Sequence, residues 1–230
     1  MFIDYETFHQ RVDAVQRRIA AACERAGRAP AEVTLLPVTK THPPAAAEYA
    51  ARLGLAAVGE NRVQEGVEKR AQVTAALRWE LIGHLQSNKA RLAATHFERI
   101  QSVDTAKLLT VLNRAGEELG RKVAVLLEIN AGEDPAKFGA DPADAAALLD
   151  FALSQSHLQV DGLMTIAPLA EDPDIARRCF ARLRTLRDEL AHRSGAPLRE
   201  LSMGMSGDFE AAIAEGSTLV RVGTALYGAR

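Results

Sequence analysis

Short runs of β-type composition alternate with amphipathic helical runs along the chain, and this order constrains the fold more than any other feature. A helical run follows each β-like run but the last, and one further helix is predicted within residues 1–27. Strict alternation of strand and helix is typical of parallel sheets built from βαβ units. The eight predicted strands are residues 34–40, 56–61, 78–83, 99–104, 123–130, 158–168, 200–206 and 218–228.

Eight strand–helix units in 230 residues favour a closed (β/α)8 barrel, the TIM barrel, over an open doubly wound sheet. We therefore predict an α/β protein with a TIM barrel and an added N-terminal helix. The chain contains no linker, charge block or low-complexity tract that would divide it. We expect one domain spanning residues 1–230.

Charge and composition restrict the partners and the location that we expect. The 28 basic and 30 acidic residues give a net charge of -2, so no overall field attracts nucleic acid or an anionic membrane. The amino terminus lacks the basic and apolar regions of a signal peptide, and no stretch approaches the roughly 18 to 20 apolar residues of a membrane span. Cys23 and Cys179 lie in predicted helices and suggest no disulfide framework. We expect a soluble, cytoplasmic protein.

The first predicted strand, TLLPVTK, ends in a lysine. Successive side chains alternate across a strand, so Leu36, Val38 and Lys40 share one face. Pro43 and Pro44 then stop the strand and suit the first turn of a helix. An amine at the carboxyl-terminal rim of a barrel, when partly desolvated, is suited to Schiff-base chemistry. A lysine at a strand end more often simply extends into solvent, and both interpretations stand at this point.

The ends of the last two predicted strands carry residues suited to an anion. Ser206 and Gly207 precede a helix whose amino-terminal NH groups can bind phosphate. The next strand supplies Gly223 and Thr224 at the same rim, and the loops after strands seven and eight frequently build phosphate sites in these barrels. Ser206 is equally suited to be a helix N-cap and Gly207 a turn residue, and these roles are compatible with anion binding.

Arg221 has the strand parity of an inward-facing residue, because Val220 and Val222 occupy the opposite face. A guanidinium inside a barrel cannot lose its charge and needs a carboxylate, a phosphate or a ring nitrogen as acceptor. A structural ion pair and a ligand contact both meet that need. The histidines and cysteines lack metal-ligand spacing, so we expect no metal site.

Other polar residues follow the second, third and fifth strands. Asn61 and His84 lie at strand ends, where loop capping is more common than ligand binding. The charged residues after strand five are expected to form a solvated surface, and they are Glu128, Glu133, Asp134 and Lys137.

Several of these residues belong to longer motifs. PVTK at 37–40, GENRVQE at 59–65, IGHLQSNK at 82–89 and LSMGMSGDFEAAIAEGSTLVRVGTALYG at 201–228 resemble the pyridoxal 5'-phosphate homeostasis proteins. This is the YggS/PROSC family, which is related to the barrel domain of alanine racemase. The resemblance runs through nearly the whole chain. Glu80, where members often carry histidine, and the acidic loop 131–139 depart from the family pattern.

The resemblance implies that pyridoxal 5'-phosphate (PLP) is held as an internal aldimine by Lys40. It places the phosphate at Ser206, Gly207, Gly223 and Thr224. It also places Arg221 opposite the pyridine nitrogen and Asn61 near the ring.

Weak catalysis, or none, is expected from two observations. An arginine at the pyridine nitrogen makes the ring a poor electron sink, although related racemases share it. The chain also ends at Arg230, directly after the eighth predicted strand, with no second domain to supply a tyrosine base as in alanine racemase. We therefore expect a monomer that buffers PLP and passes it to apo PLP-dependent enzymes. The alternatives are a small PLP-dependent racemase or lyase, and an enzyme that binds a phosphorylated sugar.

Overall fold

The computed structural model describes residues 2–170 and 172–228. The expected lack of a second domain rests on the chain end at Arg230, which lies outside the described residues. The strands are β1 (Thr34–Pro37), β2 (Ala57–Glu60), β3 (Arg78–Leu81), β4 (Arg99–Val103), β5 (Val123–Glu128), β6 (Leu158–Met164), β7 (Glu200–Ser202) and β8 (Leu219–Val222).

The eight strands form one parallel sheet in the order β1-β8-β7-β6-β5-β4-β3-β2. The two ends of this series meet. Val38, just past β1, forms a parallel bridge with Gly59 of β2, and the Thr39 N–H donates to the Gly59 carbonyl at 3.0 Å. The predicted (β/α)8 barrel is confirmed.

The helices that cover the barrel are α1 (Tyr5–Arg25), α2 (Ala45–Arg52), α3 (Val63–Arg70), α4 (Ala90–His96), α5 (Ala106–Glu118), α6 (Ala145–Ser154), α7 (Pro173–Ser194), α8 (Phe209–Ala214) and α9 (Thr224–Tyr227). Short 3-10 helices occur at Pro30–Glu32, Ser87–Lys89 and Pro142–Asp144. None of the helices within 2–170 and 172–228 combines the length and apolar composition needed to cross a membrane.

The added N-terminal helix is present as α1. Asp4 caps it, because the Asp4 carboxylate accepts the N–H of Thr7 at 2.7 Å. Its buried stripe includes Phe8, Val12 and Val15, and the helix packs against α8 and α9. The helix therefore covers the part of the barrel where the first and last strands lie side by side.

Every predicted strand ends earlier than expected, and two of these differences bear on the cavity residues. The run predicted as strand 218–228 leaves the sheet after Val222, and Thr224–Tyr227 forms α9 instead. Short apolar runs do not distinguish a strand from a buried helix, and here Leu226 and Tyr227 are buried as a helical face. The predicted strand 34–40 ends at Pro37, so Lys40 lies in the turn that leads to α2.

The barrel interior is apolar in one part and polar in another. Its apolar cluster comprises Leu36, Val38, Ala57, Ile82 and Leu219. The larger hydrophobic core lies between the sheet and the helices. Buried polar residues on the strands include Glu80, Gln101, Ser202 and Arg221. Buried polar groups need partners, and the partners of Arg221 lead to the candidate site.

Candidate ligand-binding site

A cavity of about 430 Å³ opens at the carboxyl-terminal ends of the strands. All seven predicted site residues line it, although they come from four separate parts of the sequence. They are Lys40, Asn61, Ser206, Gly207, Arg221, Gly223 and Thr224. The structure therefore brings together every residue that the sequence singled out for ligand binding.

Lys40 is half-buried, and the residues on either side of it are attached to one buried cluster. The Lys69 ammonium, on α3, donates to the Thr39 carbonyl at 2.7 Å and to the Glu60 carboxylate at 2.5 Å. It also contacts the Glu65 carboxylate at 3.2 Å, and that carboxylate accepts the N–H of Thr41. The backbone before and after Lys40 is thus held by a single ion cluster.

In the ion cluster of Glu60, Lys69 and Glu65, the first two residues are buried, and the backbone that the cluster binds at Thr41 is strained. Lys69 is 4% exposed and Glu60 is fully buried. Burial raises the pKa of Glu60, and the adjacent Lys69 opposes that rise. Thr41 has φ +65°, a left-handed conformation that costs a non-glycine residue on the order of 1–3 kcal/mol. Sequence reasoning missed Lys69, which resembles a solvated lysine in the helical run VEKR.

Arg221 points into the barrel, as its strand parity predicted. Its guanidinium donates to the Ser202 hydroxyl at 2.6 Å and to the Thr165 carbonyl at 2.8 Å, and the residue is 3% exposed. Within 2–170 and 172–228 no carboxylate lies within 4.0 Å of it. Burial lowers the pKa of Arg221 to about 10, and Glu128 and then Asp208 oppose that change. The positive charge therefore has only neutral direct partners.

A chain of hydrogen bonds supports Arg221 from the side of the barrel that faces away from the cavity. The Ser202 hydroxyl donates to the Gln101 side-chain oxygen at 2.6 Å, and the Gln101 amide donates to the Glu80 carboxylate at 2.6 Å. Arg99, at the start of β4, holds that carboxylate with two bonds of 2.9 and 3.0 Å. Glu80 therefore anchors a polar chain that crosses the barrel interior from the far end to the cavity.

The loop after β7 and the start of α9 form one wall of the cavity. The Ser206 hydroxyl accepts the N–H of Ala225 at 3.3 Å and so connects the two segments. A Cβ atom added at Gly207 would meet nothing within 4 Å, so this position borders open space. The Asp208 carboxylate accepts the N–H of Met205 at 2.5 Å and closes the loop. This wall offers hydroxyl groups beside an open volume.

Glu128 and His84 also line the cavity. Glu128 is 3% exposed, so the expectation that it belongs to a solvated surface is wrong. It ends β5 and points inward, whereas Glu133 in the following loop is exposed and pairs with Arg182 at 2.8 Å. His84 stacks on Phe138 with ring centroids 4.0 Å apart. An acid and an imidazole therefore lie at the same cavity as the lysine and the arginine.

Fold and cavity together define a TIM-barrel ligand-binding protein with a lysine and a buried arginine at one site. The sequence model of the alanine racemase N-terminal domain family matches residues 11–230 of this chain. The chain is 40% identical over 222 residues to the pyridoxal phosphate homeostasis protein of Aquifex aeolicus, covering 96% of this chain and 97% of that protein. It belongs to the alanine racemase N-terminal domain family and, within it, to the pyridoxal phosphate homeostasis proteins.

Two solved structures extend this comparison. PipY of Synechococcus elongatus PCC7942, solved with PLP bound, has a TM-score of 0.82 at 42% identity, covering 93% of this chain and 100% of PipY. Alanine racemase of Clostridium difficile 630 has a TM-score of 0.78 at 16% identity, covering 98% of this chain and 57% of the racemase. The second likeness concerns the fold alone.

Proposed function

We propose that this protein binds PLP in the rim cavity, holds it covalently through Lys40, and serves PLP homeostasis by storing the cofactor and passing it on. The observation that carries the proposal is the buried Arg221, which faces the Lys40 cavity and whose direct partners among the described residues are neutral. The relatives named for PLP homeostasis, and PipY with PLP bound, support the same function.

The residues at the cavity fit this cofactor. PLP is an anionic aromatic aldehyde, and the cavity offers it an amine, a buried cation and two hydroxyl groups. The open space at Gly207 leaves room for a phosphate beside Ser206 and Thr224. Arg221 requires an acceptor from the ligand because Ser202 and Thr165 supply no negative charge.

In this proposal Lys40 is the covalent anchor. Its Nζ adds to the aldehyde carbon, the carbinolamine loses water, and a C=N bond replaces the C=O bond. Ser206, Gly207, Gly223 and Thr224 surround the phosphate. Arg221 donates to the pyridine nitrogen, and Asn61 lies near the ring. When bound, PLP supplies the aldehyde and the aromatic ring.

We further propose that the bound cofactor does little or no catalysis. An arginine that donates to the pyridine nitrogen keeps that nitrogen unprotonated, so the ring is a weak electron sink. No tyrosine is among the described residues that line the cavity. The Tyr227 hydroxyl donates to the Ala46 carbonyl at 3.0 Å, and burial raises its pKa further above the usual range. Tyr227 is therefore unsuited to act as a base.

The proposal also covers the oligomeric state and the partners. We propose a monomer with a single domain over residues 1–230, in which one barrel supplies all seven predicted site residues. The recipients of the cofactor are apo PLP-dependent enzymes in this proposal. Incubation of the loaded protein with an apo-transaminase should restore transaminase activity faster than the spontaneous release of PLP allows. Reactivation no faster than that release would contradict a transfer role.

Covalent binding is tested by absorption spectra of the PLP-loaded protein before and after borohydride reduction. The wild type and Lys107→Ala, which removes an exposed lysine of α5, should both retain PLP after reduction and denaturation. Lys40→Ala should retain none. Equal retention by Lys40→Ala would show that another amine holds PLP, and absence of retention in all three proteins would contradict covalent binding of PLP. A protein that binds only phosphorylated sugars would stay colourless.

A second candidate function is a small PLP-dependent racemase, because His84 and Glu128 are possible acid–base groups at the cavity. Exchange of the α-hydrogen of amino acids with deuterium from the solvent separates the two functions. A storage protein should exchange no faster than PLP in solution. Exchange at enzymatic turnover rates that disappears in Lys40→Ala would establish the racemase instead.

A further inference from the structure

Glu128 is the buried acid for which the storage function has given no role. It is the last residue of β5, it lines the cavity, and it is 3% exposed. Its Oε2 atom is buried and has no hydrogen-bond partner among the described residues. A native buried carboxylate oxygen without a donor is rare, because desolvation is then uncompensated. Such an oxygen at a ligand cavity points to a missing partner in the ligand.

The surroundings of Glu128 favour its neutral form. Burial is the main reason that its pKa rises to about 7, the charge of Asp104 adds to the rise, and Arg221 opposes it. A neutral carboxyl group carries an O–H donor, whereas an ionised one only accepts hydrogen bonds. Near neutral pH the cavity therefore has one acidic group that can either donate to a ligand or repel it.

We propose that Glu128 is a proton-dependent ligand contact, whose neutral carboxyl donates a hydrogen bond to an acceptor atom of PLP and whose ionised form weakens PLP binding. This inference rests on the proposed function, because PLP is the ligand concerned. In this proposal the unpartnered Oε2 of Glu128 is the donor atom. PLP affinity then depends on pH in a way that Lys40 alone does not supply.

PLP binding should itself shift Glu128 towards the neutral form. The phosphate of bound PLP would bring negative charge into the cavity, and nearby negative charge raises the pKa of a carboxyl. By linkage, a proton that binds together with PLP makes PLP affinity fall as the pH rises.

Other titratable groups at the site also make PLP affinity depend on pH, and the test must separate their effect from that of Glu128. The charged or titratable residues that face the cavity or act on Glu128 are Lys40, His42, His84, Asp104 and Arg221. Proton release from the Lys40 ammonium favours binding at high pH, which opposes the effect of Glu128. A comparison of two proteins that differ only at Glu128 cancels this background.

The test measures the equilibrium Kd for PLP of the wild type and of Glu128→Gln between about pH 6 and about pH 8.5, a range that spans the raised pKa. Glutamine keeps the shape and a donor but cannot ionise. The ratio of the wild-type Kd to the Glu128→Gln Kd should rise at least about fivefold across this range. Glu117→Gln, at an exposed acid of α5, should follow the wild type at every pH.

A ratio that stays constant with pH, or that falls, would overturn the inference. Borohydride reduction of the same samples separates this failure from that of the proposed function. If PLP is fixed on Lys40 while the ratio is flat, only the role of Glu128 is wrong. If no PLP is fixed, the proposed function is wrong as well. Infrared difference spectra should show the C=O stretch of a protonated carboxylic acid in the loaded wild type and not in Glu128→Gln, and its absence from the wild type would contradict a neutral Glu128.

Discussion

The two cations at the cavity are held in opposite ways. Lys40 is positioned through the backbone on either side of it, because Lys69 binds the Thr39 carbonyl and Glu65 binds the Thr41 N–H. Arg221 is positioned through its own guanidinium, which donates to a hydroxyl and a carbonyl. A charged cluster supports the lysine, and a chain of neutral groups leads from the arginine to a distant ion pair.

This difference matches what each cation has to do. Under the proposed function Lys40 forms and releases an imine and must move its side chain, and the contacts of Lys69 and Glu65 act on the main chain beside it. A buried arginine that attracts an anionic ligand must keep its position and its charge, so its direct partners are neutral. The ions that support Lys40 are buried away from the ligand, whereas the charge of Arg221 remains available to the ligand.

The largest effect should follow from removal of the cation in the lysine support. Lys69→Met leaves the Glu60 carboxylate buried without its partner, and loss of one member of a buried ion pair costs about 3–5 kcal/mol. We expect Tm to fall by roughly 10 °C and PLP to condense with Lys40 more slowly. Thermal unfolding and stopped-flow absorbance measure the two effects.

The double variant Glu60→Gln/Lys69→Met is the control for this substitution. It removes both buried charges, so most of the lost stability should return. Slow condensation should persist, because the Thr39 carbonyl still lacks its donor. If condensation in both variants is as fast as in the wild type, the ion cluster does not position Lys40.

The second largest effect concerns Glu128, through which the free energy of unfolding depends on pH. The folded-state pKa of Glu128 is raised from 4.5 to about 7, so its contribution to stability is complete below pH 4.5 and is lost as the pH rises to about 7. The shift corresponds to about 3 kcal/mol. Without PLP, Glu128→Gln should therefore gain about 2–3 kcal/mol over the wild type between about pH 5 and pH 8.

Urea unfolding of the two proteins across this pH range measures the gain. Glu117→Gln should show no such trend, since Glu117 is exposed and its side chain stays in water when the protein folds. A stability difference between Glu128→Gln and the wild type that does not vary with pH would mean that Glu128 ionises normally in the fold.

A smaller effect should follow from breaking the arginine support. Ser202→Ala removes the hydroxyl between Arg221 and Gln101, which leaves buried polar groups unsatisfied at a cost of about 1–3 kcal/mol. PLP affinity should also fall several-fold, because the guanidinium loses one of its two fixed contacts. Chemical denaturation and PLP titration measure these effects.

Ser217→Ala is the matched control for Ser202→Ala. Ser217 is also fully buried, and its hydroxyl lies 2.8 Å from the Met203 carbonyl oxygen, its nearest acceptor. Among the described residues no hydrogen bond joins Ser217 to Arg221. It should lower stability by a similar amount and leave PLP affinity unchanged. Equal loss of affinity in both variants would assign the effect to general destabilisation.

The smallest effect should come from the exposed side of the lysine support. Glu65→Gln keeps an oxygen that can accept from Thr41 and removes only a charge whose side chain is 25% exposed. We expect a loss of about 0.5–1 kcal/mol in urea unfolding. A loss as large as that of Lys69→Met would show that Glu65, rather than Glu60, is the main partner of Lys69.

The barrel and the cavity-lining residues could be predicted from the sequence because both depend on local pattern. Alternation of strand and helix gave the fold, and the parity of Val220, Arg221 and Val222 placed the guanidinium inside the barrel. The run 218–228 shows the limit of pattern, since its apolar end forms α9 rather than a strand. Only packing distinguishes these two structures for so short a segment.

The supports of the site could not be predicted, because each is a contact between distant parts of the chain. Lys69 meets the Thr39 carbonyl 30 positions earlier in the chain, and Ser202 meets Gln101 from 101 positions later. Sequence pattern predicts a solvated surface for both Glu128 and Glu133, although Glu128 ends a strand and Glu133 lies in a loop. Burial separates these two acids, and burial is a property of the assembled barrel.

Peptide mapping of the PLP-loaded wild type after borohydride reduction tests the central claim most directly. The reduced pyridoxyl group should be found on the peptide that contains Lys40, at close to one per chain, and phosphate added before loading should compete with PLP. A pyridoxyl group spread over surface lysines, or found mainly on a lysine outside the cavity, would contradict the assignment of this cavity as the PLP site.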